Sequence, residues 1–528
     1  MSDRHGGDVV AAYLTELGVD HLFTLTGGHI SPLLVGANAA GIRVVDVRDE
    51  KNAVFAADAM ARLTGTIGVA AVTAGPGVTN TVTAVKNAQM AQTPLLILGG
   101  ATATILKGRG ALQDIDHLSL MKPITKWATA VKTLPALRPT LERAVEEATT
   151  GVPGPVFVEI PVDVLYPEAT VKEWYFKESG VEAAGGLGAR ALRTYMRGHL
   201  FRQFHGPRLD IDLPMPDVKL PRRATPETFD AAKLLASSER PVLIVGSQTL
   251  AGRNDTDTIA ASIERLGIPT FLAGSARGLL GAGNDLQFRH KRSAALKEAD
   301  VVIVAGFPFD FRLGYGRSIS GKAKIVAANL SSTELKKNRK PELAYQMHPA
   351  EFLAELAAGL GRPRTGLGAW FNVLGEREAA RDREIRDQAA DQQGLINPLD
   401  LFTRLDPKLA DDSILVVDGG DFVATAAYIL RPRAPLSWLD PGPFGTLGVG
   451  GGFALAATLA RPEAQVWLVY GDGSSAYSLA EFDSFVRHGV APIALVGSDG
   501  AWAQIARDQM AILGDDVATT LLRTPYQE

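Results

Sequence analysis

Residues 466–502, VWLVYGDGSSAYSLAEFDSFVRHGVAPIALVGSDGAW, limit the choice of fold more than any other part of the chain. Residues 466–470 are an uninterrupted apolar run of strand length, followed by a Gly471-Asp472-Gly473 turn. Leu479, Phe482, Phe485 and Val486 then recur at helical spacing, and residues 493–496 form a second apolar run. A strand–turn–helix–strand unit of this length makes the two strands parallel and brings their carboxyl ends to one sheet edge. Asp472 stands at the first end and Asp499, 27 positions on, at the second. Two carboxylates there suit a hard cation, magnesium or calcium. The backbone N–H groups of the glycine turn and helix start suit phosphate oxygens. The segment predicts a metal-bridged diphosphate, although a lone glycine turn also occurs in ordinary nucleotide-type units.

A further carboxylate lies far upstream. In IRVVDVRDEKNAVFAADAMARLTG, a strand over residues 43–47 runs into an Ala-rich helix, with Glu50 at the junction. Such junctions carry chemistry in open α/β sheets, but a Glu near a helix start also serves as a simple partner of the helix dipole. Gly75-Pro76-Gly77 ends the next strand, and Asn80 is expected at the following helix start. Apolar runs at residues 241–245, 301–305 and 324–328 alternate with helical patterns, so the middle of the chain is a second α/β unit.

At 528 residues the chain is long enough for three or four domains. A hydrophobic content of 46% and a charged content of 21% fit a globular protein with a large core. Net charge is −4 without a long basic run, which argues against nucleic acid as a partner. The absence of Cys excludes disulfides, thiolate catalysis and Cys-based metal sites. The polar start and the lack of a long apolar run predict no membrane span and a cytoplasmic protein. The expected organisation is α/β, with three doubly wound parallel-sheet domains. The first covers 1–180, a linker 181–224 follows, and the central domain covers 225–361. A connecting helical segment, read as exposed, covers 362–394, and the third domain covers 395–528. ALRTYMRGHLFRQFHG, in the linker, reads as a basic surface helix, either a solvated connector or the border of an acidic ligand.

Gly-Asp-Gly with Asp499 downstream resembles the signature of thiamine-diphosphate enzymes, in which a pair of asparagines follows the turn. Here the pair is Ser498-Asp499, a departure that keeps an oxygen ligand and adds negative charge. The resemblance implies a pyrimidine-binding, a central and a diphosphate-binding domain. It implies thiamine diphosphate held through Mg2+ on Asp472, Asp499 and the carbonyl of Ala501. Gly420, Asp421, Gly471, Gly473, Ser474 and Ser475 would border the diphosphate, and Gly75, Pro76 and Asn80 the pyrimidine ring. Glu50 matches the family glutamate that bonds a ring nitrogen of the aminopyrimidine, a role that needs a partly desolvated carboxyl. Leu447, in GPFGTLGVGGGFALAA, falls where a bulky apolar residue props the bent cofactor, and core packing is compatible with that role.

Over nearly its whole length the chain is similar to the acetolactate-synthase-like branch and, within it, to the 2-hydroxyacyl-CoA lyases. LTGGHISPLLVGANAAGIRVVDVRDE, GRGALQDIDHLSL, VVDGGDFVATAA and LDPGPFGTLGVGGGFAL carry this likeness. It implies cleavage of a 2-hydroxyacyl-CoA to formyl-CoA and an aldehyde or ketone, with the cofactor as electron sink. The alternatives are an acetolactate synthase, a 2-oxo-acid or oxalyl-CoA decarboxylase, and a non-catalytic thiamine-fold subunit. His29 would polarise or protonate the substrate oxygen, or else be structural. Gln113 matches a family glutamine near the substrate, whereas Asp114, Asp116 and His117 read as helix caps. Trp502 and Ile505 would shape the acyl pocket or belong to the core. Arg277, in SARGLLG, is the candidate phosphate contact for ADP or CoA in the central domain, where FAD is the alternative occupant. The layout implies a homo-oligomer, dimer or tetramer, with Glu50 of one subunit serving the cofactor held by Asp472 of another. Family members continue past the position of Glu528, so a C-terminally incomplete third domain is expected.

Overall fold

The computed structural model describes residues 5–180, 185–205, 226–252, 255–391 and 394–519. Among them fifteen strands build three sheets in which every strand pairing is parallel. The chain divides into two compact units.

The first unit comprises the described residues of Met1–Ala61, Thr66–Asp217 and Ala480–Gly489. Its sheet holds β1 (His21–Leu25), β2 (Arg43–Asp46), β3 (Gly68–Val72), β4 (Leu95–Ala101), β5 (Trp127–Ala130) and β6 (Pro155–Pro161), in the order β2-β1-β3-β4-β6-β5. Every residue of β3, β4 and β6 is buried, because helices cover both faces of a parallel sheet. That is why these strands read as continuous apolar runs. Leu22, Val69, Leu96, Leu98, Val156 and Val158 share one core with residues of the helices Gly6–Glu16 and Leu134–Thr149. Each such side chain contributes about 1.5–3 kcal/mol on full burial.

Two features of this unit differ from expectation. The helix Glu481–His488, read as the crossover of the third domain, clusters here. Its Glu481 is fully buried and accepts from the Arg48 N–H at 3.0 Å and the Asn52 amide at 2.9 Å. A buried carboxylate requires such partners, and apolar spacing does not show where they come from. The expected surface helix of the linker, Leu187–His205, buries Met196, Leu200 and Phe204 against Val171, Tyr175 and Phe176. One side is therefore core and only the other is solvated. The rest of the expected 181–224 linker lies outside the described residues.

The second unit holds the other two sheets. The central one contains β7 (Pro241–Val245), β8 (Thr270–Leu272), β9 (Val301–Ala305), β10 (Lys324–Ala328) and β11 (Leu343–Tyr345), in the order β11-β10-β9-β7-β8. The last contains β12 (Ile414–Asp418), β13 (Trp438–Leu439), β14 (Val466–Gly471) and β15 (Ile493–Gly497), in the order β13-β12-β14-β15. The connecting helix Gly368–Ala389 is not simply exposed: Trp370 and Leu374 join the central core, and Ile385 joins the core of the last sheet. The Trp370 indole donates to the Pro241 carbonyl at 3.1 Å, which a charged sequence pattern does not announce.

Among the described residues no helix is long and apolar enough to cross a membrane. The expected incompleteness of the third domain falls on the chain end, and residues 520–528 lie outside the described part.

Candidate active site

In a doubly wound sheet the crevice opens where successive connections leave in opposite directions. In the first unit that point lies between β1 and β3. His29 follows β1, and Thr73 to Pro76 follow β3. His29 Nδ1 lies 3.3 Å from Thr73 Oγ1. Burial, with His117 nearby, lowers the His29 ring below the usual imidazole range, so it is neutral at pH 7. Gly75 has φ +60°, and a Cβ there would stand 2.8 Å from the Gln113 Cβ. Gln113 is itself left-handed at φ +63°, a strained conformation for a non-glycine residue of a kind that clusters at functional sites.

Pro76–Thr79 form a single helical turn, and Asn80 closes it rather than opening the next helix. The Asn80 amide donates to Glu50 Oε2 at 2.9 Å. Glu50 opens the helix Glu50–Thr64 and is 8% exposed, so the carboxyl is both desolvated and held through one oxygen. Glu50, His29, Gln113, Gly75, Pro76 and Asn80 therefore gather at one sheet edge.

Sequence reasoning missed the group behind this edge. His117 is not a cap: Asp116 caps the helix His117–Met121 by accepting from Ser119 N–H, and Asp114 accepts from Gly108 N–H. The His117 ring is buried at 1% exposure. Its Nε2 accepts from Gly75 N–H at 2.8 Å, and its Nδ1 is 2.8 Å from Glu159 Oε2. Glu159 is fully buried, and its other oxygen pairs with Lys107. Burial pushes the Glu159 carboxyl up, but His117 and Lys107 together outweigh it and hold the group below the usual carboxylate range. A lone Glu inside the run PVFVEIP was the available signal, because a charge on a strand buried on both faces must be paired.

The equivalent point in the last sheet lies between β12 and β14. Gly419 to Asp421 follow β12, and Asp472 follows β14. Asp472 is 6% exposed and accepts from Gly473 N–H at 2.7 Å and Gly500 N–H at 2.8 Å. That second bond ties the end of β14 to the loop after β15. Asp499 reaches solvent at the rim, with Oδ1 accepting from Ala501 N–H at 3.0 Å. Partial burial, together with the nearby Asp472 and Asp421, raises its carboxyl. Asp421 pairs with Arg507. Ser474 and Ser475 are buried, and their hydroxyls donate to the backbone carbonyls of Gly471 at 2.9 Å and Asp472 at 2.7 Å. They fasten the turn, which leaves only their backbone N–H groups for a ligand.

Beneath this edge Asp418 is fully buried and accepts from Gly448 N–H at 3.1 Å and Gly450 N–H at 2.8 Å. Burial pushes it up to about 7 despite those donors. It anchors the segment carrying Leu447, whose side chain packs over Gly419, where a Cβ would collide with it. The Trp502 ring covers Gly473 in the same way, while Ile505 is exposed.

Among the described residues no three His, Cys, Asp or Glu side chains converge on a metal-binding point. A cation at this edge would rely on Asp472, Asp499 and backbone carbonyl oxygen. Crowded carboxylates and an oxygen-only donor set fit magnesium and not a soft metal.

Arg277 follows β8 of the central sheet. Its guanidinium lies 3.8 Å over the Trp438 ring and donates to the Ala427 carbonyl. These internal partners give no geometric support to a phosphate contact. The crevice of the central sheet lies between β7 and β9, and Arg277 follows β8.

Three family models match: the thiamine pyrophosphate enzyme N-terminal binding domain over residues 4–120, the central domain over 229–356 and the C-terminal binding domain over 418–525. The chain belongs to the thiamine pyrophosphate enzyme family. It is 49% identical over 531 residues to a Danio rerio protein named 2-hydroxyacyl-CoA lyase 2, covering 100% of this chain and 85% of the relative. Its identity to the Homo sapiens protein of that name is 48% over 535 residues, covering 100% and 84%. A more distant Mycobacterium bovis relative, named probable acetolactate synthase, is 33% identical over 521 residues, covering 98% and 87%.

Proposed function

We propose that the chain is a thiamine-diphosphate-dependent carbon–carbon lyase that cleaves a 2-hydroxyacyl-CoA to formyl-CoA and an aldehyde or ketone. The observation that carries this reading is likeness over the whole of this chain, at 48–49% identity, to proteins named for that activity. When bound, thiamine diphosphate supplies a carbon nucleophile and an electron sink. The Glu50 carboxyl, aligned by Asn80, holds and returns the proton at the pyrimidine ring nitrogen. Leu447, packed over Gly419, would support the bound cofactor. Asp472, Asp499 and the Ala501 carbonyl would hold Mg2+ at the diphosphate, beside the N–H groups of Ser474 and Ser475, while the Gly473 N–H holds Asp472. Gly420 and Asp421 border the same edge, with Asp421 held by Arg507. Neutral His29 and Gln113 orient the substrate oxygen, and His29 exchanges a proton with it.

The acyl-CoA substrate belongs to this proposal, as does an oligomer in which Glu50 and Asp472 of different copies serve one cofactor. A central-domain site for ADP or CoA remains part of it, without Arg277 as its anchor. Product analysis tests the reading: full-length protein, thiamine diphosphate and magnesium are incubated with a panel of 2-hydroxyacyl-CoA thioesters, pyruvate and oxalyl-CoA. Formyl-CoA with a carbonyl compound is the expected outcome. Acetolactate from pyruvate, with the thioesters untouched, would replace the lyase by a synthase.

A further inference from the structure

The buried group behind the first sheet edge has a form that packing alone does not require. Gly75 N–H points at His117 Nε2, so that nitrogen must carry the lone pair. The proton of the neutral ring is then on Nδ1, where it is donated to Glu159 Oε2. Glu159 Oε1 is occupied by Lys107, so the carboxylate is charged and satisfied on both sides. The tautomer is thereby determined by the two partners.

What this ring holds is the start of the turn that ends in Asn80. Gly75 sits at φ +60°, and its N–H is held by His117. From Gly75 the single turn Pro76–Thr79 is rigid: Thr79 N–H bonds to the Gly75 carbonyl at 3.0 Å and Asn80 N–H to the Pro76 carbonyl at 2.9 Å. Asn80 then holds Glu50. A continuous chain runs from Lys107 and Glu159 through His117, Gly75 and Asn80 to the Glu50 carboxylate.

We propose that His117, held by Glu159, is a positioning residue that sets the Gly75–Asn80 turn and through it the direction of the Glu50 carboxylate. It touches neither substrate nor cofactor. The inference rests on the proposed role of Glu50. Its chemical requirement is specific: residue 117 must accept a hydrogen bond from Gly75 N–H while donating to Glu159. Glutamine meets both demands, with amide oxygen toward Gly75 and amide N–H toward Glu159. Lysine meets only the second, keeping Glu159 paired and offering no acceptor. Leucine meets neither.

The test uses the full chain with His117→Gln, His117→Lys and His117→Leu. Two readouts are independent of the lyase assignment. The first is hydrogen exchange at the Gly75 amide in cofactor-free protein. The second is deuterium exchange at the reactive carbon of bound thiamine diphosphate, with cofactor affinity measured in parallel. His117→Gln is expected to keep both within about threefold of the parent. His117→Lys is expected to expose the Gly75 amide and to slow carbon exchange about 10–100-fold, since misplacement of a reacting group by about 1 Å has effects of that order. Cofactor affinity should move far less. His117→Leu should match His117→Lys if it folds, and if it does not fold the other two variants decide. Parent-like Gly75 protection and carbon exchange in His117→Lys, or losses in His117→Gln as large as in His117→Lys, would overturn the proposal. If Gly75 responds as expected while carbon exchange does not, the link to Glu50 is wrong even though the hinge is real. A lyase assignment that failed on its own products would alter neither readout.

Discussion

The crevice edges of the first and last sheets occupy the same topological position and carry different electrostatics. At the first, Glu50 has an amide donor, His29 is neutral, and the buried charge of Glu159 is matched by Lys107 and by the proton of His117. At the last, Asp472, Asp499 and Asp421 stand close enough for Asp499 to be raised by the other two. The first edge has its buried charges paired, whereas at the last only Asp421 has a cationic partner among the described residues, Arg507, which leaves Asp472 and Asp499 without one. Shared fold therefore decides where chemistry is placed, and the side chains at the strand ends decide which chemistry it is.

The widest separation between the edges should appear with Glu50→Gln. Proton transfer is lost but shape is kept, so kcat should fall about 10²–10⁴-fold while thiamine diphosphate binds nearly as before. Parallel loss of binding, measured by calorimetric titration, would mean that Glu50 holds the cofactor instead of moving a proton.

Asp418 tests the buried part of the last edge. Its folded carboxyl is raised to about 7. The folded state therefore keeps a proton that the unfolded chain has already released. The stability this group adds is complete below about pH 4 and is lost as pH rises through about 7, a swing of up to about 4 kcal/mol. Asp418→Asn lacks that loss, so denaturant unfolding should show the variant gaining on the parent between pH 5 and pH 8. Parallel behaviour at the two pH values would show that the carboxyl is charged throughout.

Asp472→Ala should weaken magnesium-dependent cofactor binding by about 10–100-fold and barely change the protection of the Gly75 amide, because the two edges are held by separate networks. A large change at Gly75 would break that independence. Asp499→Asn should have the smallest effect, within about tenfold at pH 8, because an amide oxygen still ligates. In the parent a protonated Asp499 cannot ligate, so affinity should fall as pH falls through its raised pKa. The Asn variant should be flat over that window. Equal pH profiles would remove Asp499 from the cation site.

The parts legible in the sequence share one physical origin. Strands β7, β9 and β10 fall on residues 241–245, 301–305 and 324–328 as expected, because strands between two helical layers need long apolar runs. Asp472 and Glu50 were visible because a carboxylate at a strand end or a helix start breaks those runs. His117 was misread, and Glu481 passed over, for the converse reason. Each lies in a polar or amphipathic stretch, and its burial depends on partners 42 and 433 positions away. Arg277 drew attention by its motif, and sequence spacing does not show that its guanidinium lies on Trp438 and donates to Ala427.

By itself the sequence determined the parallel α/β layering, the edges at which chemistry must lie and the carboxylates poised there, since local runs and turns dictate those. Only the tertiary structure decided which donors meet those carboxylates: Asn80 on Glu50, Gly500 on Asp472, and the His117–Glu159 pair beneath Gly75. Direction and charge of a buried acid are set by groups within about 3 Å of it, and in a doubly wound fold those groups arrive from distant parts of the chain.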